Sequence, residues 1–194
     1  TLRRALASGR TGVVTLGSAG SNHAVATATF ARELGMTARA ILHPHPDPDH
    51  VRRNLDRLAS LDADARTATW LRLFGTLVRG RLDPAGGTRP LWIPPGGSSA
   101  LGVLGAAEGA LEGVDDARAG RITIPEVVVV AAGSCGTAAG LAIGFALARA
   151  SVRVVAVRVV PRLIANRRKI LRLARGGLRI LSRSGMAAGD VALG

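Results

Sequence analysis

Two short stretches carry residues suited to holding an anion. Gly17-Ser18-Ala19-Gly20-Ser21-Asn22-His23 and Gly133-Ser134-Cys135-Gly136-Thr137 share the pattern Gly-Ser-x-Gly-[Ser/Thr]. Each follows an apolar run and opens a helical one. Glycines let the backbone come close to a ligand, and the exposed N–H groups and dipole of the following helix favour negative charge. Many α/β proteins use one glycine turn only for close packing. Two in one chain suggest a phosphorylated or carboxylated small molecule held between them.

Other reactive constellations give less. Ser134 sits in Ala-Gly-Ser-Cys-Gly, close to a nucleophile elbow, but that chemistry needs an acid and then a histidine further on. All four histidines lie at or before His50, and only Asp190 follows the loop, so a hydrolase triad is not expected. His43, His45, Asp47, Asp49 and His50 have the residue types of a metal site. The prolines between them make a turn rather than a helix face presenting ligands at i and i+4, so a solvated connector is expected and no metal. His23 can either contact a ligand or cap its helix. Cys135 reads as a small buried residue, because nothing near it in sequence would lower its pKa. There is no Gly-x-x-x-x-Gly-Lys-[Ser/Thr], and no Gly-x-Gly-x-x-Gly after a strand.

The elements that must position these stretches follow from apolar patterning. Leu2 to Ser8 reads as a helix end stopped by Gly9. Thr11 to Leu16 is a buried strand, and Ser21 or Asn22 caps a helix that ends at Gly35. Thr37 to Leu42 is a second strand, followed by a proline-rich turn and a helix from His50 to Leu61 capped by Asp49. This βαβα run predicts a parallel sheet with flanking helices. Trp70 to Val78 can form a helix, and Pro90 to Ile93 a short strand. Pro94 to Ser99 makes a stiff turn into a helix from Ala100 to Leu111, and Val114 to Gly120 a linker. Val127 to Ala131 and Val152 to Val160 are strands on either side of a helix from Ala138 to Arg149. Arg162 to Leu181 is a basic amphipathic helix whose apolar side carries Leu163, Ile170, Leu173 and Leu181.

Composition narrows the function classes. Apolar residues make up 47% of the 194, enough for a buried core. Aromatics are 3% and tyrosine is absent, which argues against a surface that stacks bases, so nucleic acid is not expected as a partner. The net charge of +13 comes from arginine, with Lys169 the only lysine, a bias that by itself says little about function. The positive charge collects between Arg149 and Arg183. One cysteine permits no internal disulfide and fits a reducing, cytoplasmic setting. Val127 to Leu147 carries no charge, but a buried strand, turn and helix account for it without a membrane span.

Several motifs occur together and in order: Ser21-Asn22-His23-Ala24 with a helix ending in Arg32-Glu33-Leu34-Gly35, then Val51-Arg52-Arg53-Asn54-Leu55, then Ile93-Pro94-Pro95-Gly96-Gly97-Ser98-Ser99-Ala100-Leu101-Gly102, then Gly133-Ser134-Cys135-Gly136-Thr137-Ala138-Ala139-Gly140-Leu141. This set resembles the pyridoxal-phosphate enzymes of the D-cysteine desulfhydrase and 1-aminocyclopropane-1-carboxylate deaminase family. The resemblance implies an α/β fold of two lobes with open parallel sheets, the tryptophan synthase β-like fold (fold type II). It covers most of Thr11 to Val160. The smaller lobe would be 1–95 and carry Ser-Asn-His; 96–194 would be part of the larger, cofactor-binding lobe.

The resemblance also implies roles. Pyridoxal 5'-phosphate would be the cofactor, its phosphate cradled by Gly133, Ser134, Cys135, Gly136 and Thr137. Asn22 would hydrogen-bond the phenolic oxygen of its ring. Ser21 and His23 would be the catalytic residues facing a small amino-acid substrate, Ser21 near its carboxylate and reacting carbon. Gly96, Gly97 and Ser98 would support the joint between lobes. The complete form would be a homodimer without membrane attachment. The family's Schiff-base lysine lies in an Asn-Lys motif well before Ser-Asn-His. None of the twenty residues before Ser21 is lysine, Gly20 stands where glutamine is common, and the cofactor-stacking tyrosine has no counterpart. The chain is therefore expected to be the middle of such a lyase or deaminase, truncated at both ends, either a fragment of a longer product or a degenerate member, and inactive alone. The other reading is a non-catalytic phosphate-binding α/β protein, or a polyanion-binding module using the arginine-rich C-terminal helix.

Overall fold

The computed structural model describes residues 1–46, 48–68 and 90–185. They form two compact units, Thr1–Gly96 and Gly97–Gly194. The first contains α1 (Leu2–Ala7), β1 (Gly12–Ser18), α2 (Asn22–Glu33), β2 (Thr37–His43), α3 (Pro48–Ser60), β3 (Asp64–Thr67) and β4 (Leu91–Ile93). Its sheet is parallel throughout, in the order β3-β2-β1-β4. Central β1 is buried on both faces, which is why its sequence is apolar without alternation. Val13 packs with Ala5, Ala31, Met36 and Ile93 on one side, and Val14 and Leu16 pack with Ile41 on the other. A third cluster joins Ala24 and Ala28 of α2, Ala40 and Leu42 of β2, and Leu58 of α3. Leu58 is fully enclosed, a burial that stabilises by about 1.5–3 kcal/mol.

The second unit contains α4 (Val103–Arg118), β5 (Val127–Ala132), α5 (Gly136–Leu147), β6 (Arg153–Arg158) and α6 (Arg167–Arg183), with β5 and β6 paired in parallel. Helix α5 is the crossover between the two strands, and α4 and α6 pack against it through Val103, Ala107, Ala139, Ile143 and Ala174. The seam between α4 and α5 consists of small residues: Gly140 and Gly144 lie against Ala106, Ala107 and Ala110. One face of β5 and β6 stays open, leaving Val129 and Val157 exposed.

The observed elements correct the sequence reading at several points. Asp49 lies inside the first turn of α3 and is not its cap. Helix α4 starts at Val103 rather than Ala100, and it runs through the expected linker to Arg118. Buried Val103, Ala107, Ala110 and Val114 recur at helical spacing, so the stripe continues past Leu111. Strand β6 is shorter than Val152 to Val160. Helix α6 starts five residues later than expected, because the Asn166 side chain caps it by accepting from Lys169 N. Strand β3 was not expected at all. It is polar, and Arg39 Nε of its neighbour β2 donates to Asp64 at 2.7 Å. The Arg66 hydrogen bond, then the Arg39 bond, holds the Asp64 carboxyl below its ordinary pKa. The expected helix Trp70 to Val78 lies outside the described residues.

Candidate functional site

In the first unit, β1 delivers the Ser-Asn-His segment to the sheet's C-terminal edge. The chain turns at Ala19 and Gly20, and Ser21 caps α2, its hydroxyl oxygen accepting from Ala24 N at 3.3 Å. That bond uses a lone pair and leaves the Ser21 proton free to be donated. Asn22 opens the helix and is exposed. His23 is not the cap. Its half-buried ring turns towards the sheet, with Nε2 2.9 Å from Thr15 Oγ1. Thr15 itself donates to Ile93 O at 3.2 Å. Burial lowers the His23 pKa from its ordinary value, partly offset by a hydrogen bond to the Pro94 backbone. The imidazole is therefore biased towards its neutral form, which can accept a proton.

Sequence reasoning placed no role on Asn54 or Thr15. Asn54 of α3 is buried, and its Nδ2 donates both to Gly20 O at 2.6 Å and to Asn22 Oδ1 at 2.8 Å. The available signal was polarity out of place. Asn54 interrupts the apolar stripe Val51, Leu55, Leu58, and Thr15 interrupts an apolar strand. Polar groups buried at such positions are kept by hydrogen bonds.

Gly20 has a left-handed backbone, with φ of 84°. A Cβ there would also sit 2.8 Å from His50 Cδ2 and 3.3 Å from Val51 Cα. Restoring glutamine by Gly20→Gln is expected to destabilise the first unit by about 2 kcal/mol or more, combining left-handed strain with overpacking. Thermal melting checks this: a variant that melts with the wild type shows that the turn can relax.

In the second unit, Gly133 to Thr137 link β5 to α5. Cys135 occupies the N-cap position with φ of 72°, rare for a residue with a side chain. Its thiol is buried, and no side chain caps α5 among the described residues. The N–H groups of the first turn, which have no partner within a helix, are thus left for an anion. Thr137 is exposed at the same end. Ser98 Oγ donates to Ser134 Oγ at 2.8 Å, which leaves the Ser134 proton to donate onward. A Cβ added to Gly136 would meet Ser98 Oγ, so the glycine keeps the floor of the loop open. A phosphate fits this donor set.

A cavity of about 640 Å³ elsewhere in this unit is lined by residues such as Ala142, Phe145, Ala156 and Ile170, but not by residues of the loop. It is not the anion cradle. Lys169 Nζ donates to Ile164 O at 3.0 Å, within its own segment. Among the described residues no helix is long and apolar enough to cross a membrane, and no cluster of His, Cys, Asp and Glu could hold a metal ion.

Comparison with known proteins gives this geometry a context. The profile of the pyridoxal-phosphate dependent enzymes matches residues 1–175. A D-cysteine desulfhydrase of Salmonella typhi is 34% identical over 185 residues, covering 87% of this chain and 53% of that protein. A Pyrococcus horikoshii protein provisionally named 1-aminocyclopropane-1-carboxylate deaminase is 32% identical over 164 residues, covering 80% of this chain and 47% of that protein. The crystal structure of a 1-aminocyclopropane-1-carboxylate deaminase homologue superposes with a TM-score of 0.74 at 28% identity, over 93% of this chain and 55% of that one. The chain spans about half the length of the curated relatives it matches. The family implies pyridoxal 5'-phosphate as cofactor, and the architecture is that of fold type II. The chain belongs to the family of pyridoxal-phosphate-dependent enzymes.

Proposed function

We propose that the chain is a portion of a pyridoxal-phosphate-dependent lyase or deaminase acting on a small amino acid, of the D-cysteine desulfhydrase or 1-aminocyclopropane-1-carboxylate deaminase type. The observation that carries the reading is the uncapped start of α5, with Ser134, Gly136 and Thr137 gathered at it. These residues would hold the cofactor phosphate through backbone N–H groups and hydroxyls. Asn22 would donate to the phenolic oxygen of the ring. Ser21 would donate its free proton to the substrate carboxylate, and neutral His23 would take up or hold a proton at the ring. When bound, the cofactor supplies an electron sink for bond cleavage beside the substrate's α-carbon. The single buried cysteine fits a reducing cytoplasm.

In this reading the 194 residues bind the cofactor reversibly and do not turn over. Their one lysine is bonded to Ile164 O, within its own segment. The test mixes the purified chain with pyridoxal phosphate, follows binding by absorbance with inorganic phosphate as competitor, then reduces with borohydride and maps the peptides by mass. Saturable, phosphate-competed binding with no adduct on Lys169 is expected. Release of ammonia with pyruvate or 2-oxobutanoate by the isolated chain would overturn the inactivity, and absence of binding would overturn the cofactor role.

A further inference from the structure

The geometry points to Asn54 as a positioning residue that fixes the direction of the Asn22 side-chain amide, so that Asn22 offers a donor and never an acceptor outward. The Gly20 carbonyl oxygen can only accept, so the Asn54 atom 2.6 Å from it must be Nδ2. The same Nδ2 is 2.8 Å from the Asn22 amide, and it carries a second proton to give. The Asn22 atom facing it must therefore accept, which makes it Oδ1. A planar amide that turns Oδ1 inward turns its NH₂ the other way. Asn54 is 2% exposed, so water does not compete for these two bonds, whereas Asn22 is exposed and its NH₂ faces outward. The polarity of one backbone carbonyl is passed through two hydrogen bonds to an exposed donor.

Without Asn54, the two flips of an exposed asparagine differ little in energy, because its oxygen and nitrogen ends are nearly the same size. A ligand would then meet a mixture of donor and acceptor. With Asn54 the position selects an oxygen acceptor and favours one bearing negative charge. This rests on the reading that Asn22 meets the phenolic oxygen of the cofactor. There, a fixed donor favours the ionised phenolate over the protonated phenol. It also gives α3 a task besides packing: its one fully buried polar side chain joins the turn at Gly20 to the first residue of α2.

The test has one arm without cofactor and one with it. In the ¹⁵N-labelled full chain, the Asn54 NH₂ protons are expected to exchange slowly with solvent and those of Asn22 fast. In Asn54→Asp the carboxylate has no proton to give, so Asn22 reverses and its NH₂ becomes the protected group. Asn22→Asp keeps an acceptor for Asn54, so it should fold as the wild type with Asn54 still protected, while losing the outward donor. If Asn54→Asp does not fold, Asn22→Asp decides this arm, since loss of Asn54 protection there would overturn the proposal. So would a slowly exchanging Asn22 NH₂ in the wild type. In the second arm, Asn54→Asp is expected to bind pyridoxal phosphate about tenfold more weakly, the loss of one hydrogen bond to an ionised oxygen, and Asn22→Asp more weakly still, because its carboxylate also repels that oxygen. Tight binding by Asn54→Asp would overturn the proposal. A wild type with the expected exchange pattern but no affinity for the cofactor would instead overturn the cofactor reading and leave the amide orientation standing.

Discussion

Gly140→Ala is expected to destabilise the second unit by about 2 kcal/mol, although alanine is the better helix former. Two effects oppose each other. Relieving glycine inside a helix is worth up to about 1 kcal/mol. Against that, a Cβ at Gly140 would collide with the carbonyl oxygen of Val103 and lie 2.5 Å from Ala106 Cβ and 3.0 Å from Ala107 N. Two of these three atoms belong to the backbone of α4, so no side chain can swing away. The helices must move apart, opening the packing of Val103, Ala107, Ala139 and Ile143. Gly144→Ala meets Ala107 O and Ala110 Cβ in the same seam, and the same shift of α4 relieves both. The double variant should therefore cost less than the sum of the two. Gly109→Ala on α4 is the control. Nothing lies within 4 Å of its added Cβ, so it should stabilise by up to about 1 kcal/mol. Urea unfolding of the four variants gives the ranking. If Gly140→Ala matches Gly109→Ala, the seam is not close-packed.

This seam also shows what the sequence discloses and what it hides. Strand β1 and helix α2 were legible because burial on both faces forces an unbroken apolar run and Ser21 is a strong cap. The parallel order followed from strand-helix alternation. Helix α4 outruns its expected end at Leu111, because the register of Val103, Ala107, Ala110 and Val114 carries the buried stripe into the expected linker. Strand β3 had no apolar signal, since its pairing with β2 and the Arg39–Asp64 ion pair hold it instead. At the candidate site, Ser21, Asn22 and His23 lie where β1 passes into α2, and Gly133 to Thr137 where β5 passes into α5. Asn54 and Ser98 stand in the resembling motifs, but their hydrogen bonds do not announce themselves. Asn54 and Ser98 act through partners 32 and 36 residues away in the chain, a relation only the fold creates. Nor does sequence give the left-handed Cys135, a conformation cysteine rarely adopts, which would cost about 1–2 kcal/mol if nothing around it compensated. Such strain collects where a backbone must present its N–H groups to a ligand.

Gly136→Ala is expected to weaken pyridoxal phosphate binding by more than about tenfold, while changing global stability much less than Gly140→Ala. The added Cβ would collide with Ser98 Oγ and lie 3.3 Å from Ser98 Cβ and 3.5 Å from its Cα. The hydroxyl is the movable part, so the least costly response is for Ser98 to rotate. Rotation breaks its bond to Ser134, and Ser134 is then free to turn its own proton away from the anion. If Ser98 stays, the start of α5 must shift, and the N–H groups of its first turn shift with it. Either response weakens the proposed cradle, and in both the added Cβ takes up its floor, so affinity falls whichever one occurs. Ser98→Ala separates them. Adding it to Gly136→Ala removes the clashing hydroxyl and should recover whatever stability Gly136→Ala lost. Affinity should stay low, because Ser134 remains unheld and the added Cβ still occupies the floor of the loop. Ser98→Ala alone should weaken binding by a smaller factor, since the glycine floor and the N–H groups are intact. Titration with pyridoxal phosphate, repeated with inorganic phosphate as competitor, measures all three. A Gly136→Ala chain that binds as tightly as the wild type would show that the phosphate does not rest on this turn.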